Sequence, residues 1–278
     1  SVAVVNDETA LLSNPAGLGK LRDYYGTLLD PEFDLGQNVQ GIYNQSPFMD
    51  PFDTTQVANS LNRSKNTYYH ARAQIFPSFV VRNFGIGIFY KFLLDMKMNA
   101  AGNSVETFYQ EDAALHLGYN FRFFDGRIKL GVVGKLISRI EWNNATKTYP
   151  GNFGLQTNAS EGAAIGTDVG LNFAAPWAWL PTLAIVARDV GSTQFTAGKN
   201  IRYLPTTTPI PTMMTQVYDI ALAVFPIHAN RTRSSFTVEV QKFLAATASS
   251  AQLKYLHVGY ELNASDLFFL RLGMNGPW

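Results

Sequence analysis

Three basic side chains share one face of a predicted strand in the segment RIKLGVVGKLISRIEW (127–142). Lys129, Lys135 and Arg139 all occupy odd positions, and successive side chains of a β-strand point to opposite faces. A row of cations of this kind can bind a carboxylate, and a bidentate arginine contact would orient the head group. The segment is therefore a candidate site for the carboxylate of a ligand.

Apolar side chains on the same predicted face could hold the tail of such a ligand. Phe89 and Leu93 lie on the otherwise polar side of FGIGIFYKFLLDMKM (84–98), where they could line a pocket or pack against another part of the chain. The simpler interpretation of the cations is a network of ion pairs that fills and stiffens the interior. The acidic residues predicted on the polar face are Asp95, Asp112, Asp168, Asp189, Glu239 and Glu261.

Alternation of apolar and polar residues continues along most of the chain. A period of two indicates strands rather than helices. The clear segments are 84–98, 112–123, 127–142, 163–173, 218–224, 236–241, 256–262 and 268–275, and the less regular ones are 71–82 and 182–192.

The length of these segments favours a membrane barrel over a soluble sandwich. Strands of soluble proteins have about 5–6 residues, whereas strands that cross a membrane have about 9–11 residues of alternating hydrophobicity. We therefore expect an all-β protein, an antiparallel transmembrane β-barrel of about 12–14 strands with its apolar side chains in lipid. In the alternative, a soluble β-sandwich, Ile86, Phe92, Leu117 and Leu130 would share one core.

The connections between the predicted strands alternate in length. The Asp-Gly pair at 125–126 indicates a hairpin turn, whereas the connections at 143–161 and 193–215 are long. Outer-membrane barrels have short periplasmic turns and longer extracellular loops. This topology requires a strand near 36–45 before an extracellular stretch at 46–68. It gives an odd number of strands, so we expect either that the carboxyl-terminal strand is incomplete or that residues 201–214 or 22–30 contain a further strand.

The composition excludes several classes of function. Charged residues make up 15% of the 278 residues and the net charge is +1, so we expect no nucleic-acid partner. There is no cysteine for a disulfide or a thiolate metal site. The four histidines share no ligand spacing and no hydrolase motif occurs, so we expect no metal, no cofactor and no enzyme activity. The most apolar window is interrupted by Pro176 and Pro181, so we expect no membrane-spanning helix.

The amino-terminal segment DETALLSNPAGLGKL (7–21) does not alternate. Ala10, Leu11 and Leu12 suit a short helix. Asn14 and Pro15 can begin a second helix, with the asparagine as N-cap and the proline at the first helical position. Taken alone, the segment predicts a helical stub followed by a turn.

This segment also carries a resemblance. An acidic residue three positions before Ala10, followed by Asn-Pro-Ala-Gly-Leu and then by amphipathic strands, resembles the FadL-like outer-membrane proteins, which include long-chain fatty acid transporters and secretion-system barrels. Asn14, Pro15 and Ala16 match the Asn-Pro-Ala element of that family's amino-terminal hatch, which sits inside the barrel. Weaker similarities are VARDVGSTQF (186–195) and HVGYEL…LFFLRLGMN (257–275).

The resemblance implies a division of the chain and a function. Residues 1–32 would form the hatch in the barrel lumen, and residues 33–278 would form the barrel in the bacterial outer membrane. The expected function is passive uptake of hydrophobic small molecules such as long-chain fatty acids. The alternative is a barrel without transport that serves as a secretion-system adaptor or envelope scaffold and docks a partner protein.

Overall fold

The structure, a computed structural model, describes residues 1–151, 153–197, 210–228, 232–243, 255–264 and 267–276. The fold is mostly antiparallel β-sheet. Its strands are β1 (Tyr25–Thr27), β2 (Glu32–Leu35), β3 (Tyr68–Ile75), β4 (Ser78–Val81), β5 (Phe84–Met98), β6 (Ser104–Phe123), β7 (Ile128–Thr148), β8 (Ser160–Ala174), β9 (Thr182–Arg188), β10 (Thr196–Ala197), β11 (Val217–Val224), β12 (Thr232–Phe243), β13 (Leu256–Ala264) and β14 (Phe268–Asn275).

The strands follow one another in space as they do in the chain. From β5 to β9, and from β11 to β14, each strand pairs with the next one, and β9 pairs with β11. The short strands β3 and β4 both pair with β5, and β2 and β1 pair with β3 and β4 respectively, so each couple occupies one strand position. The minor strand β10 pairs with Gly162 and Ala163, in the part of β8 that does not pair with β9. The hairpin predicted at the Asp-Gly pair is present between β6 and β7, where Asp125 and Gly126 both have positive φ.

Among the described residues, the sheet does not close on itself. The couple β1 and β2 is paired on one side only, and β14 is paired only with β13. These two edges bound a sheet of eleven strand positions. Because neighbouring strands are antiparallel throughout, the first and the eleventh position run in the same direction.

The predicted alternation gives the sheet one apolar and one polar face. Ile86 of β5, Leu117 of β6 and Leu136 of β7 point to the apolar face and are 38%, 45% and 52% exposed. The sandwich alternative requires such side chains to share one core, and these side chains do not. The polar face carries most of the strand glycines and most of the charges, and the amino-terminal segment packs on its centre.

Helices replace the strand that we predicted near 36–45. Residues Val39–Gln45 form the helix α1, and Thr54–Arg63 form the helix α2, so the strand prediction at 36–45 is wrong. The first strand position is occupied instead by β1 and β2, which come before it in the chain. Val39 and Ile42 are three residues apart and both buried, which is the spacing of one helix face rather than of a strand. A third helix, α3, spans Leu155–Asn158.

The helices α1 and α2 cover one end of the apolar face, and we call them the helical cover. Val57 and Leu61 of α2 pack with Leu94 of β5 and Ile140 of β7, and all four are fully buried. Phe92, also on this face, is 4% exposed, so it lies under the cover rather than facing outward as the barrel prediction has it. Among the described residues, no helix has the length and apolar character needed to cross a membrane.

The amino-terminal residues 1–21 pack on the polar face of the sheet. Two 3-10 helices, Glu8–Leu11 and Pro15–Lys20, make up about half of this segment. The second of them contacts β6, β7 and β8 at the centre of the sheet. The predicted hatch also includes residues 22–32, but these do not all lie on the polar face, because β1 and the first residue of β2 are part of the sheet itself.

Candidate functional site

The Asn-Pro-Ala element, Asn14 to Ala16, which the resemblance predicts to be a hatch motif, lies at the centre of the polar face. Asn14 is fully buried, and its side-chain oxygen accepts a hydrogen bond from the Ala16 amide at 3.0 Å. This is the N-cap contact that the sequence predicts, with Pro15 at the first helical position. The Asn14 side-chain amide donates to the carbonyl of Val2 at 2.7 Å, which ties the two turns of the segment together.

Glycines of the sheet make room for this motif. A Cβ atom added at Gly131 would lie 2.1 Å from the carbonyl carbon of Pro15, and one at Gly170 would lie 2.1 Å from the Asn14 side-chain oxygen. The residues are cross-strand partners on β7 and β8. A larger residue at either position would push the segment away from the sheet. The two glycines therefore form a fitted seat for the Asn-Pro-Ala element.

Arg188, at the end of β9, joins the amino-terminal segment to the sheet. Its guanidinium donates to the carbonyl of Leu12 at 2.6 Å and to that of Ser13 at 3.0 Å. The same group donates to the Asp219 carboxylate of β11 at 2.6 Å. Sequence reasoning did not predict this contact, because the amino-terminal segment has no periodic signal that locates it against a strand.

A cavity of about 190 Å³ lies between the segment and the sheet. Three of the five predicted ligand-site residues line it: Phe89, Lys135 and Arg139. Leu12 of the amino-terminal segment and Met214 close it from the other side. The volume is below the roughly 300 Å³ of an ordinary small-molecule site.

The cations of this cavity are paired. The Lys135 ammonium lies 2.8 Å from Asp168 and 2.7 Å from Asp189, and all three side chains are buried. Arg139 makes a bidentate contact with Asp112 at 2.7 and 2.9 Å. A ligand carboxylate would have to compete with these aspartates. The arrangement therefore suits an apolar guest better than an anionic one while the ion pairs persist.

The other two predicted residues lie outside the cavity. Lys129 sits closer to the short-turn end of β7, where its ammonium donates to the carbonyl of Gly126. Leu93 is half-buried on β5, with Gln110 as its partner on β6. The five residues thus share the polar face, but they do not form one site.

An aromatic cluster extends the cavity towards the first strand positions. His116 packs edge-on against Phe89 and Phe76, with ring centroids 6.1 and 5.8 Å away. His116 was predicted to face the interior, and it lines the cavity. Phe76 precedes Pro77 in the break between β3 and β4, a position that the irregular alternation of 71–82 did not assign.

Part of the predicted extracellular loop at 193–215 folds over the cavity. Phe195 is 6% exposed, and the Arg139 guanidinium lies 4.9 Å from the centre of its ring. Thr212 donates its backbone amide to Glu141 at 2.8 Å. The centre of this loop, residues 198–209, lies outside the described residues. No alternation marks these contacts, which is why sequence reasoning missed them.

The described residues contain no cluster of three or more histidine, aspartate or glutamate side chains that could hold a metal ion. Comparisons of the chain with protein-family models, with curated proteins and with solved structures give no match. The class of protein is therefore defined by the fold: a long-stranded antiparallel sheet with an exposed apolar face and a polar face filled by the amino-terminal segment.

Proposed function

We propose that this chain is a FadL-like β-barrel of the bacterial outer membrane that passes hydrophobic small molecules, such as long-chain fatty acids, without an energy source. The observation that carries the membrane part is a band of constant height on the apolar face, which we call the exposed band. It consists of the outward-facing side chains of residues 113–123, 128–138 and 163–173, every one of them at least partly exposed.

The height of the exposed band matches the apolar thickness of an outer-membrane barrel. Eleven residues span about 34 Å along a strand at 3.4 Å per residue. A tilt of 35–45° reduces this to roughly 24–28 Å, against about 25 Å for the apolar band of such barrels. All three strands begin and end the band in the same cross-strand rows, so the band has the same length on each of them.

The two boundaries of the band also carry the side chains expected there. At the short-turn end lie exposed aromatic residues, as in the girdles of membrane barrels. They are Phe84, Phe123, Phe124, Phe173, Trp177 and Trp179. At the other end Glu111 and Glu161 share a row with Ile140, and the Glu111 carboxylate accepts from the hydroxyls of Tyr90 and Tyr109 at 3.0 and 2.7 Å.

Closure of the barrel is part of the proposal. The two free edges run in the same direction, so antiparallel pairing throughout requires one further strand between them. That gives an even number, as single-chain bacterial barrels have. The amino-terminal segment would then stand inside the barrel as the hatch.

A route for an apolar molecule leads from the cavity to a gap in the first strands. Between β1 and β2 the residues 28–31 leave the sheet, and residues 75–77 opposite them have no partner on that side. Leu28 is 90% exposed there. Phe76 stands between this gap and the cavity, since its ring packs on Phe89 and His116. Passage requires the hatch to move, because the resting cavity is too small for a long-chain ligand.

Blocking the cavity tests transport. Ala114 lines the cavity, whereas Ala113, the preceding residue of β6, points to the apolar face. Ala114→Trp should lower uptake of a radiolabelled long-chain fatty acid at least tenfold in Gram-negative cells that lack their own fatty-acid channel. The matched variant Ala113→Trp should change it less than twofold. Heat-modifiable migration of both variants on gels confirms that they fold.

The alternative is a barrel that docks a partner protein without transport. The observation that favours it is the dense set of buried ion pairs, from Lys135 and Arg139 to Arg188, which fixes the interior. Uptake by the unmodified chain no higher than that of cells without it would reject transport and leave this alternative. Site-specific cross-linking from the helical cover in intact cells would then identify the partner.

A further inference from the structure

A second group of charges on the polar face has no acidic partner in the part of the chain that the structure describes. We propose that Lys20, Arg122 and Lys129, with Asn120 and Asn172, form a binding site for a phosphate group at the short-turn end of the sheet. None of these residues lines the cavity described above, and the site is independent of the proposed uptake. The bound group would be either inorganic phosphate or a phospholipid head group.

The strand register places like charges side by side. Arg122 of β6 and Lys129 of β7 are direct cross-strand partners, and Asn172 of β8 is the partner of Lys129 on the other side. Like charges directly opposite each other destabilise a sheet. Elsewhere on this face the cations Lys135, Arg139 and Arg188 each touch an aspartate.

The amino-terminal segment adds a third cation. Lys20 ends the second 3-10 helix, and its ammonium donates to the carbonyl of Ala3 at 2.5 Å. Burial, and secondly the nearby Lys129 ammonium, lower the pKa of Lys20 to about 7. Among the described residues, no carboxylate lies within 4.0 Å of the charged nitrogens of Lys20, Arg122 or Lys129.

Buried donors without acceptors surround these cations. Asn120 and Asn172 are each 1% exposed, and neither side-chain amide nitrogen has a hydrogen-bond partner among the described residues; the side-chain oxygen of Asn120 also has none there and is open to the neighbouring ammonium groups. The Nε of Arg122 also lacks one. A buried donor left unpaired costs roughly 1–3 kcal/mol, so a ligand that accepts from all three would remove a large penalty. Gly19 of the segment packs directly on the side chains of Asn120 and Lys129, which brings both elements to one place.

The combination selects a phosphate over other anions. Three cations favour a charge of minus two over minus one, and several separate donors suit the oxygens of a tetrahedral group better than a planar carboxylate. Arginine and lysine are the usual side chains of phosphate sites. One shared anion in this site would connect the strands β6, β7 and β8 to the amino-terminal segment.

Titration of the whole chain with inorganic phosphate tests the site. In a phosphorus-free maltoside detergent at constant ionic strength set with chloride, millimolar phosphate should raise the unfolding temperature in a saturable manner. The double variant Arg122→Met/Lys129→Met should weaken the apparent dissociation constant at least tenfold. Lys97→Met, which removes an exposed cation from the other end of the same face, should change it less than twofold.

Asn172→Leu keeps the test decisive if the double variant does not fold. It removes one orphaned donor without changing the charge, so it should stabilise the phosphate-free protein and weaken phosphate binding. A rise in unfolding temperature that does not saturate and is equal in all variants would reflect general salt exclusion and overturn the proposal. Equal stabilisation by chloride alone would indicate an adventitious ion only and would overturn it as well.

Nanodiscs distinguish the two sources of the phosphate group. If a lipid head group fills the site, added phosphate should stabilise the chain in nanodiscs of a phosphorus-free glycolipid but not in those of a phospholipid. If free phosphate fills it, the response should be the same in both. Either result supports the site, and no response in either kind of nanodisc overturns it.

Discussion

The apolar face of the sheet consists of two regions that differ in what touches them. Leu136 and Ile140 lie four residues apart on the same face of β7, yet the first is 52% exposed and the second is fully buried. Below this boundary lies the exposed band, and above it lies the helical cover. The alternation of the strand is the same in both regions. Alternation therefore identifies an apolar face, but not whether lipid or protein covers it.

The largest predicted difference between the regions is in side-chain truncation. Ile140→Ala removes atoms that pack under the helical cover and should lower the free energy of unfolding by about 2–5 kcal/mol. Leu136→Ala should lower it by less than about 1 kcal/mol, because its side chain leaves no cavity behind. Urea unfolding in detergent micelles measures both. Equal losses would mean that the two regions are packed alike.

A charge placed in the exposed band should report its depth in a bilayer. Leu117 lies in a central row of the band, and Phe123 lies at its short-turn end. Leu117→Arg should cost about 2–4 kcal/mol in lipid vesicles, and Phe123→Arg about 0–1 kcal/mol. Reversible unfolding from vesicles provides the measurement. If Leu117→Arg is tolerated as well as Phe123→Arg, the band does not face a hydrocarbon layer.

The smallest effect concerns the helical cover alone. The Asp53 carboxylate caps α2, accepting from the amides of Thr55 and Gln56 at 2.8 and 3.1 Å. Asp53→Ala should cost about 0.5–2 kcal/mol. Hydrogen exchange should become faster in α2 and stay unchanged in strands of the exposed band. Faster exchange throughout β7 would show that the two regions unfold as one unit.

The strands were predictable because a period of two is a local property. The cover was not predicted, although the sequence contains a signal for it. Asp53 precedes an amphipathic stretch in which Val57 and Leu61 are four residues apart, as on one helix face. We interpreted this stretch as an extracellular connection because the strand count demanded one. Phe92 was assigned to the exposed face by the alternation of β5, in which nothing indicates that helices cover its second half.

The candidate site was also predictable from the sequence only in part. Alternation was sufficient to put Phe89, Lys135 and Arg139 on one face, and the register then brings them to one cavity. The aspartates that neutralise the two cations depend on how β6, β7 and β8 are aligned, which single segments do not specify. The position of the amino-terminal segment depends on glycines that are distant in the sequence. Such pairings are set by the three-dimensional packing rather than by local pattern.

The glycine seat has a consequence for the order of folding. Asn14 precedes Gly170, on which it rests, by more than 150 residues in the chain. Bringing the ends of so long a loop together has an entropic cost before any contact offsets it. The seat exists only once β7 and β8 have paired, so Asn14 reaches its native place after strands that follow it in the chain.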